Sequence, residues 1–386
     1  MEIIRLKDLC TVDITDGTHQ TPTYCKTGFI FLSSKNVTSQ TIDWNDVKYI
    51  PKELHDELHK RVAPQKNDIL LAKNGTTGIA AMVEEDLIFD IYVSLALIRP
   101  NTKIVLPRYL LYAINNPITK RYFDSHLKGI GVPNLHLTHI KETPIVLYEI
   151  PIQQKIVRLL DKVSDLIAKR RAQLDKLDLL VKARFVEIFG TEHELGRWPC
   201  GKVADVADVC VGVVIKPTQY YAEEGVRAFR SLNIGPMYVK DNDWIYFSQE
   251  GHLKNQKSVV HKGDVLVVRS GAPGIACVAT ENYDGCNAVD IIIAHPDVSK
   301  INPVFLAMFT NLPHGMNQIQ ERTGGAAQQH FNVGGYKDLN LIMPPLALQN
   351  KFALFFEQSS KSKLTIQQSL DKLETLKNAL MQQYFG

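Results

Sequence analysis

Two short turns carry residues that could contact a phosphate group. Residues 75–78 and 271–274 have Gly-x-x-Gly spacing between two apolar runs, and Lys73 or Arg269 precedes each turn. One interpretation is a tight hairpin in which glycine supplies the positive φ. The other is a cluster of backbone amides that approaches a phosphate, with the cation beside it. Besides these two cations, the candidate nucleic-acid contacts of the turns are Asn74, Thr76, Thr77 and Ser270.

Two polar loops could read the edges of bases. Residues 129–144, GIGVPNLHLTHIKETP, and residues 325–341, GAAQQHFNVGGYKDLNL, are rich in amide and imidazole side chains. Asn and Gln can make paired hydrogen bonds to adenine in the major groove, so such loops suit base recognition. The alternative is an ordinary polar surface loop. The candidate base contacts in these loops are Asn134, His136, Gln328, Gln329, His330 and Asn332.

Signatures of catalysis and of metal binding are missing from the sequence. There is no G-x-x-x-x-G-K-[ST] phosphate loop, no G-x-S-x-G turn and no H-E-x-x-H helix. Residues 343–346, MPPL, lack the leading Asn or Asp with which an amino-methyltransferase grips adenine. His55 and His59 have i,i+4 spacing, but no carboxylate or third histidine is spaced to complete a metal site, which favours surface histidines. We therefore expect no catalytic residue and no metal on this chain.

The chain is a duplication of one unit. Residues 67–83, NDILLAKNGTTGIAAMV, align with residues 263–279, GDVLVVRSGAPGIACVA, at a shift of 196 with six of 17 positions identical. The same shift pairs the LDKL tetrapeptides at 174–177 and 370–373. Upstream of one insertion or deletion the shift is 197, which pairs Asn36 with Asn233 and His55 with His252. The segments around the asparagine pair add further candidate DNA contacts, namely Lys35, Asn36, Arg230 and Asn233.

Composition limits the class of protein. The chain has 386 residues, of which 45% are hydrophobic and 22% charged, and its net charge is +3. These values are typical of a soluble globular protein, and they argue against a disordered chain or one coated with basic charge. Charge interrupts every apolar run before membrane-spanning length, and the six cysteines show no C-x-x-C spacing. We therefore expect a reduced, cytoplasmic protein with no membrane partner.

Each copy combines an α+β part with one long helix. Short runs rich in Ile, Val, Phe and Tyr, and a helical stretch at 107–116, predict an α+β fold for roughly the first 150 residues. Residues 151–189 contain no Gly or Pro after Pro151, and their apolar residues alternate steps of three and four. The second copy has the same spacing, which predicts a coiled-coil seam. The seam residues are Ile156, Leu160, Val163, Ile167, Leu174, Leu177, Val181, Phe352, Phe356, Ile366, Leu370, Leu373 and Leu380.

The two helices are expected to pair with each other. Each would be about 55 Å long. Two matching helices with narrow apolar stripes are expected to pair with each other. The alternative is that each helix packs on its own domain. The pseudo-two-fold symmetry of the duplication would make the pair antiparallel.

In their order and duplication, these motifs resemble the specificity (S) subunit of type I restriction–modification systems. The resemblance is carried by the runs at 67–78 and 263–274 and by the helix starts IPIQQKI at 150–156 and PPLALQNK at 344–351. Family members typically show Glu-Gln where this chain has Gln153-Gln154 and Leu348-Gln349. The resemblance covers essentially the whole chain. It implies target recognition domains at 1–150 and 191–344, a central spacer helix at 151–190 and a C-terminal spacer helix at 345–386.

The resemblance also implies a non-catalytic DNA reader. Each recognition domain would bind one half of a split site in double-stranded DNA, while the helices would set the spacing and dock two methyltransferase (M) subunits. Motor–nuclease (R) subunits would join that core. S-adenosylmethionine, ATP and Mg would be bound by these partners and none of them by this chain. Two other classes are a fused methyltransferase–nuclease, which the missing motifs oppose, and a protein-binding scaffold of duplicated α+β modules.

Overall fold

The computed structural model describes residues 1–38, 40–127, 133–323 and 330–386. The chain divides into two compact units: unit 1 is Met1–Arg171 with Gln368–Gly386, and unit 2 is Ala172–Gln367. Each unit contains one α+β part and portions of both long helices. Among the described residues, none of the helices combines the length and apolar character that a membrane span requires.

The first repeat forms the α+β part of unit 1. Its helices are α1 (Lys52–Arg61), α2 (Pro107–Ile114), α3 (Pro117–Ser125) and α4 (Leu137–Lys141). Its strands are β1 (Glu2–Arg5), β2 (Thr15–Asp16), β3 (Phe29–Leu32), β4 (Lys48–Ile50), β5 (Ile69–Ala72), β6 (Ala80–Met82), β7 (Phe89–Ile91), β8 (Leu95–Ile98) and β9 (Pro144–Leu147). The first long helix, α5, follows at Ile150–Phe189.

The second repeat forms the α+β part of unit 2. Its strands are β10 (Cys200–Lys202), β11 (Ala207–Val211), β12 (Tyr221–Ala222), β13 (Val226–Phe229), β14 (Ile234–Gly235), β15 (Tyr238–Val239), β16 (Ile245–Phe247), β17 (Val265–Val268), β18 (Ala276–Val278), β19 (Asn287–Ala288), β20 (Ile291–Pro296) and β21 (Asn340–Ile342). Its helices are α6 (Gln249–Lys254), α7 (Pro303–Asn311), α8 (Pro313–Thr323) and α9 (Val333–Lys337). The second long helix, α10, is Leu346–Phe385.

The two α+β parts share one sheet topology. Unit 1 contains an antiparallel sheet of order β2-β8-β5-β6 and a second sheet of order β4-β3-β7 in which β3 and β7 are parallel. Unit 2 contains the equivalent order β11-β20-β17-β18, and its second sheet, β12-β16-β13-β19, repeats the second sheet of unit 1 with β12 as an additional edge strand and with β13 and β19 parallel. The α+β fold predicted from the sequence is therefore confirmed, and so is the duplication.

Each central strand separates two hydrophobic cores. Strand β5 is buried at every position, with Ile69 and Leu71 in the core that contains α2 and with Leu70 in the core that contains Phe89. Successive side chains of a strand point to opposite faces, so a strand buried on both faces is apolar throughout. Strand β17, sequence VLVV, has the same distribution in unit 2.

A repeated asparagine attaches a helix to the sheet in each repeat. The Asn115 side chain accepts a hydrogen bond from the Ala80 amide and donates one to the Ala80 carbonyl, both at 2.9 Å. Asn311 makes the same two bonds to Ala276, at 3.1 and 2.8 Å. A carboxamide carries one acceptor and two donors, so it can pair with a backbone edge as a neighbouring strand would. This explains why the 196-residue shift aligns the two asparagines.

The long helices pair in antiparallel fashion within each unit. In unit 1, Ile156 and Leu160 from the start of α5 share a core with Met381 and Phe385 from the end of α10. In unit 2 the contacts join the second half of α5 to the first half of α10. Asp178 of α5 pairs with Lys363 of α10, whereas Phe189, nearer the end of α5, packs on Phe352, nearer the start of α10. All of the predicted seam residues are buried or half-buried.

Each long helix also packs on an α+β part, so both arrangements considered for the helices occur. In unit 2 the Phe189 ring lies 4.8 Å from the Phe305 ring of α7, between ring centres. In unit 1 the equivalent Phe385 lies 5.3 Å from Tyr109 of α2. The end of each helix thus completes the core of the α+β part that belongs to the other repeat.

Buried glutamines fix the start of both long helices. Gln153 is fully buried, accepts a hydrogen bond from the Leu106 amide at 2.8 Å and donates to the carbonyls of Ile104 and Tyr148. Gln349, also fully buried, accepts from the Asn302 amide at 2.8 Å and donates to a backbone carbonyl. A buried amide that lost these partners would carry a desolvation penalty of about 1–3 kcal/mol. The repeated glutamine therefore has a structural role.

Candidate nucleic-acid interface

In unit 1 the glycine turn lies against the polar loop. The Leu135 amide donates to the Lys73 carbonyl at 2.8 Å, and the Gly75 amide donates to the Pro133 carbonyl at 3.3 Å. These bonds form a short antiparallel bridge between Asn74 and its partner across the loop, Asn134. Two of the segments that the sequence singled out, about 60 residues apart in the chain, therefore form one surface.

Unit 2 repeats this arrangement with different residues. The Phe331 amide donates to the Arg269 carbonyl at 3.0 Å, and Ser270 and His330 form the antiparallel bridge. Ser270 is equivalent to Asn74 and His330 to Asn134 by the 196-residue shift. The backbone frame is thus the same in both units, whereas the paired side chains differ.

The chemistry at this pair of positions is distinct in each unit. In unit 2 the Ser270 hydroxyl lies 2.9 Å from His330 Nδ1 and also donates to Asp290 at 3.0 Å. In unit 1 the amide oxygens of Asn74 and Asn134 are buried and have no hydrogen-bond partner among the described residues. Buried polar atoms of a native protein are nearly always paired, so each such oxygen calls for a physical explanation.

The glycines of the two turns form hairpins. Their φ values are 76° and 77° at Gly75 and Gly78, and 86° and 96° at Gly271 and Gly274. The amides of Gly78 and Gly274 close the turns by donating to backbone carbonyls at 2.7 and 3.0 Å. Because these amides and that of Gly75 are already bonded, the geometry supports the hairpin interpretation over a phosphate cradle built from glycine amides.

The two cations beside the turns are paired with carboxylates. Lys73 is buried, and its Nζ lies 3.2 Å from Asp16, which also lies 3.5 Å from Arg61. Arg269 is half-buried and lies 2.6 Å from Asp290. These carboxylates lie 57 and 21 residues away in the sequence, and the sequence reasoning missed them. In this structure both cations stabilise the local fold and are partly neutralised, so they offer a phosphate less charge than expected.

Several predicted contacts have structural roles. The buried Asn36 side chain accepts from the Ser33 amide at 3.0 Å and donates to the Asp46 carbonyl at 2.9 Å. Asn233 is fully buried and makes the equivalent bonds in unit 2. The exposed Asn332 caps helix α9 by accepting from a backbone amide at 2.7 Å. The side chain of Thr77 is buried.

The remaining predicted contacts differ in exposure. Lys35, Thr76 and His136 are exposed in unit 1, and His330 is exposed in unit 2. The half-buried candidates are Asn74, Asn134, Arg230 and Ser270. In unit 1 the turn that carries Lys35 lies near the glycine turn, since a β-carbon placed on Gly75 would be 3.8 Å from the neighbouring Ser34 hydroxyl. Gln328 and Gln329 lie outside the described residues.

In each unit a buried carboxylate, placed just before the central strand β5 or β17, pairs with a cation, and the cation differs between the units. Asp68 accepts two bonds from Arg99, at 2.9 and 2.7 Å, in unit 1. The equivalent Asp264 lies 2.7 Å from His295 Nδ1 in unit 2. Hydrogen bonding to Asp264, and next to Cys210, raises the pKa of His295 to about 10, although burial opposes this shift.

The histidines at i,i+4 spacing meet a carboxylate that the sequence analysis missed. Asp90 of β7 lies 2.7 Å from His55 Nδ1 and 3.3 Å from His59 Nδ1. His55 and Asp90 are both buried, which corrects the expectation of surface histidines. The sequence alignment carries no signal for this contact, because the 196-residue shift that applies from residue 67 onward pairs Asp90 with Cys286. The strand pairing makes Asn287 the equivalent residue, since Asp90 lies opposite Phe31 and Asn287 lies opposite Ala228. His252 Nδ1 lies 2.7 Å from the Asn287 side-chain oxygen.

Comparisons with known proteins agree with this architecture. Residues 1–177 match the family described as the type I restriction modification DNA specificity domain. The specificity subunit of the type I restriction enzyme EcoBI from Escherichia coli is 28% identical over 138 residues. That alignment covers 36% of this chain and 29% of the relative's length.

Two solved structures are similar over the whole chain. One is the type I restriction–modification system S subunit from M. genitalium, with a TM-score of 0.61 and 12% identity, covering 100% of this chain and 96% of that one. The other comes from a study of complex assembly and conformational transition in the type I R-M system, with a TM-score of 0.58 and 18% identity. It covers 100% of this chain and 97% of that one. At these identities the likeness establishes the fold.

Proposed function

We propose that this chain, whose residues 1–177 match the family of type I restriction modification DNA specificity domains, is the sequence-specificity subunit of such a system. It reads a bipartite site in double-stranded DNA, with one α+β part on each half. The chain contributes recognition, and methylation and cleavage belong to partner subunits.

One observation carries the proposal. The same backbone bridge between glycine turn and polar loop holds Asn74 and Asn134 in unit 1 and Ser270 and His330 in unit 2. Amide, hydroxyl and imidazole groups make different hydrogen bonds to base edges, so a shared frame with different polar groups suits two readers of different half-sites.

The long helices would set the spacing of the half-sites and dock two methyltransferase (M) subunits. Their antiparallel pairing supports the first role. The second is supported by large apolar side chains that stay exposed on both helices and are available for contact with a partner. These include Leu179 and Leu180 of α5 and Leu354, Leu364 and Leu376 of α10.

The proposed complex supplies the chemistry from its other members. The methyltransferase subunits would bind S-adenosylmethionine, and motor–nuclease (R) subunits would use ATP and Mg. Because some DNA phosphates would be neutralised by partners, a net charge of only +3 on this chain is compatible with tight binding. The complex would work in the cytoplasm, where its DNA substrate lies.

Exchange of one recognition domain tests the proposal. Residues 191–344 are replaced by the equivalent part of a relative with a different target, and the methylated motifs of cells carrying the complex are sequenced. We expect one half-site to change and the other to stay as it was. If both half-sites change, or if the chain proves dispensable for sequence-dependent methylation, the α+β parts do not read DNA independently. Duplex binding by the assembled complex separates this function from that of a protein scaffold.

A further inference from the structure

We propose that His55, His59 and Asp90 bind a divalent transition-metal ion of the zinc type in unit 1. One ligand atom of each residue lies within 4.8 Å of the other two. The cluster lies outside the predicted DNA contacts, so the inference does not depend on the proposed function.

The geometry suits a tetrahedral site. His55 and His59 both direct Nδ1 towards Asp90, at 2.7 Å from Oδ2 and 3.3 Å from Oδ1 respectively. Zinc bonds to imidazole nitrogen and carboxylate oxygen are about 2.0–2.2 Å long, so tetrahedral ligands lie about 3.3 Å apart. The distance from His59 Nδ1 to Asp90 Oδ1 already has this value. Two imidazoles and a carboxylate form a set that zinc commonly accepts.

The surroundings hold two of the three ligands rigidly. Asp90 is 1% exposed and lies in β7, which pairs with β3. The His55 ring stacks on Phe29 of β3, with centroids 3.7 Å apart and planes 8° from parallel. A site with preset ligands loses little side-chain freedom when the ion binds. The His59 side chain is 32% exposed, which provides an entrance for the ion and room for water as a fourth ligand.

The second repeat indicates that the fold alone does not require this set of residues. There His252 on α6 bonds to the Asn287 side chain at 2.7 Å, so that a carboxamide attaches the helix to the strand in place of a carboxylate. The position equivalent to His59 is Gln256. Unit 1 thus has a buried carboxylate, Asp90, and a second imidazole, His59, at the positions where unit 2 has the amides Asn287 and Gln256. Metal binding explains both differences, because they convert the hydrogen bond into a three-ligand site.

The ion would cross-link α1 to strand β7, which pairs with β3. Binding through Nδ1 places the proton of each imidazole on Nε2, the other ring nitrogen. A ligand that binds only the folded state stabilises that state in proportion to the logarithm of its concentration above Kd. The consequence is a unit 1 whose thermal stability depends on zinc.

The test uses the full-length chain and a variant that copies the residues of its own second repeat. The metal-stripped protein is titrated with Co²⁺, read by visible absorption, and with Zn²⁺, read by calorimetry and by the shift in Tm. We expect one tetrahedral Co²⁺ site and a rise in Tm with Zn²⁺. In the double variant His59→Gln with Asp90→Asn, we expect affinity to fall by at least about 100-fold, beyond the 10–100-fold typical of losing an outer partner.

Three controls make the outcome decisive. Replacement of the exposed His193, whose side chain is 85% exposed, by Gln should leave binding unchanged. The reverse exchange in unit 2, Gln256→His with Asn287→Asp, should create a second Co²⁺ site. If the first double variant fails to fold, His59→Gln alone provides the measurement. Absence of a tetrahedral Co²⁺ spectrum, or unchanged affinity in a folded variant lacking His59, would overturn the proposal.

Discussion

Asp68 and Asp264 show how one buried carboxylate is satisfied by two different cations. Both accept a backbone amide three residues upstream, from Gln65 at 2.8 Å and from His261 at 2.6 Å. The remaining bonding capacity goes to Arg99 in unit 1, which stays charged at any ordinary pH. In unit 2 it goes to a histidine, so that only this support titrates in the neutral to alkaline range.

We predict that His295→Arg makes the stability of unit 2 less dependent on pH. The pKa of His295 is raised from its ordinary 6.5 to about 10 in the folded state. Its contribution to the free energy of unfolding is therefore complete below about pH 6.5 and is lost as pH rises towards 10. Because the ring is about one-third exposed, the loss should be on the order of 1–2 kcal/mol after screening.

Urea unfolding of both proteins between pH 6 and pH 10 measures this effect. Other titrating groups are common to the two proteins, so the difference between their curves isolates the imidazole. The variant should retain more of its stability at pH 10 than the original chain does. Curves that stay parallel over this range would exclude the charged histidine–aspartate pair.

The residue types at the candidate site could be read from the sequence, but their partners could not. Lys73 and Arg269 were recognisable from their place beside a repeated turn. Their ion-pair partners, Asp16 and Asp290, are distant in the sequence. Strand pairing brings them near, and such pairing has no local sequence pattern. Asp90 reached His55 and His59 in the same way, through the parallel pairing of β3 with β7.

At the scale of elements, the long helices were the most predictable part. Their apolar spacing extends over many turns and occurs twice, and helices α5 and α10 begin within one residue of the expected positions. The many short strands were less predictable, since runs of two to six residues carry little periodicity. What the spacing did not reveal is that the ends of α5 and α10 complete α+β cores through Phe189 and Phe385.

We predict that Leu174→Asp together with Leu370→Asp disrupts the helix pair. Leu370 is 6% exposed and Leu174 is half-buried, and both belong to the repeated seam. An unpaired carboxylate at each position would cost several kcal/mol, on the order of the margin that holds a domain together. A large fall in Tm and loss of co-purification with the methyltransferase subunits are expected.

A matched pair of exposed leucines serves as the control for this change. Leu179 and Leu364 lie on the same two helices but are 65% and 61% exposed. Their replacement by Asp should leave Tm nearly unchanged, whatever happens to partner binding. If the seam variant keeps both its Tm and its partners, the predicted seam does not hold the helices together.

At the scale of the whole molecule, each unit is built from both repeats. Unit 1 combines the first α+β part with the start of α5 and the end of α10, and unit 2 contains the complementary portions. Neither helix can therefore be altered in length without affecting the other. A change in spacing has to be made in both helices at equivalent positions.

We predict that lengthening both helices widens the gap between half-sites without changing either half-site. Four residues inserted after Lys169, and four more after the equivalent Thr365, add about 6 Å to each helix, or one to two base pairs at about 3.4 Å per pair. Four residues exceed one helical turn by only about 40°, so the apolar stripe stays nearly in register.

An insertion of two residues places the stripe on the opposite face and should abolish assembly, which makes it the matched control. Methylome sequencing of cells carrying the four-residue variant should show the original half-sites with a longer spacer, because in the proposed function recognition depends on the α+β parts and distance on the helices. An unchanged spacer in an assembled, active complex would mean that the helices do not determine the distance.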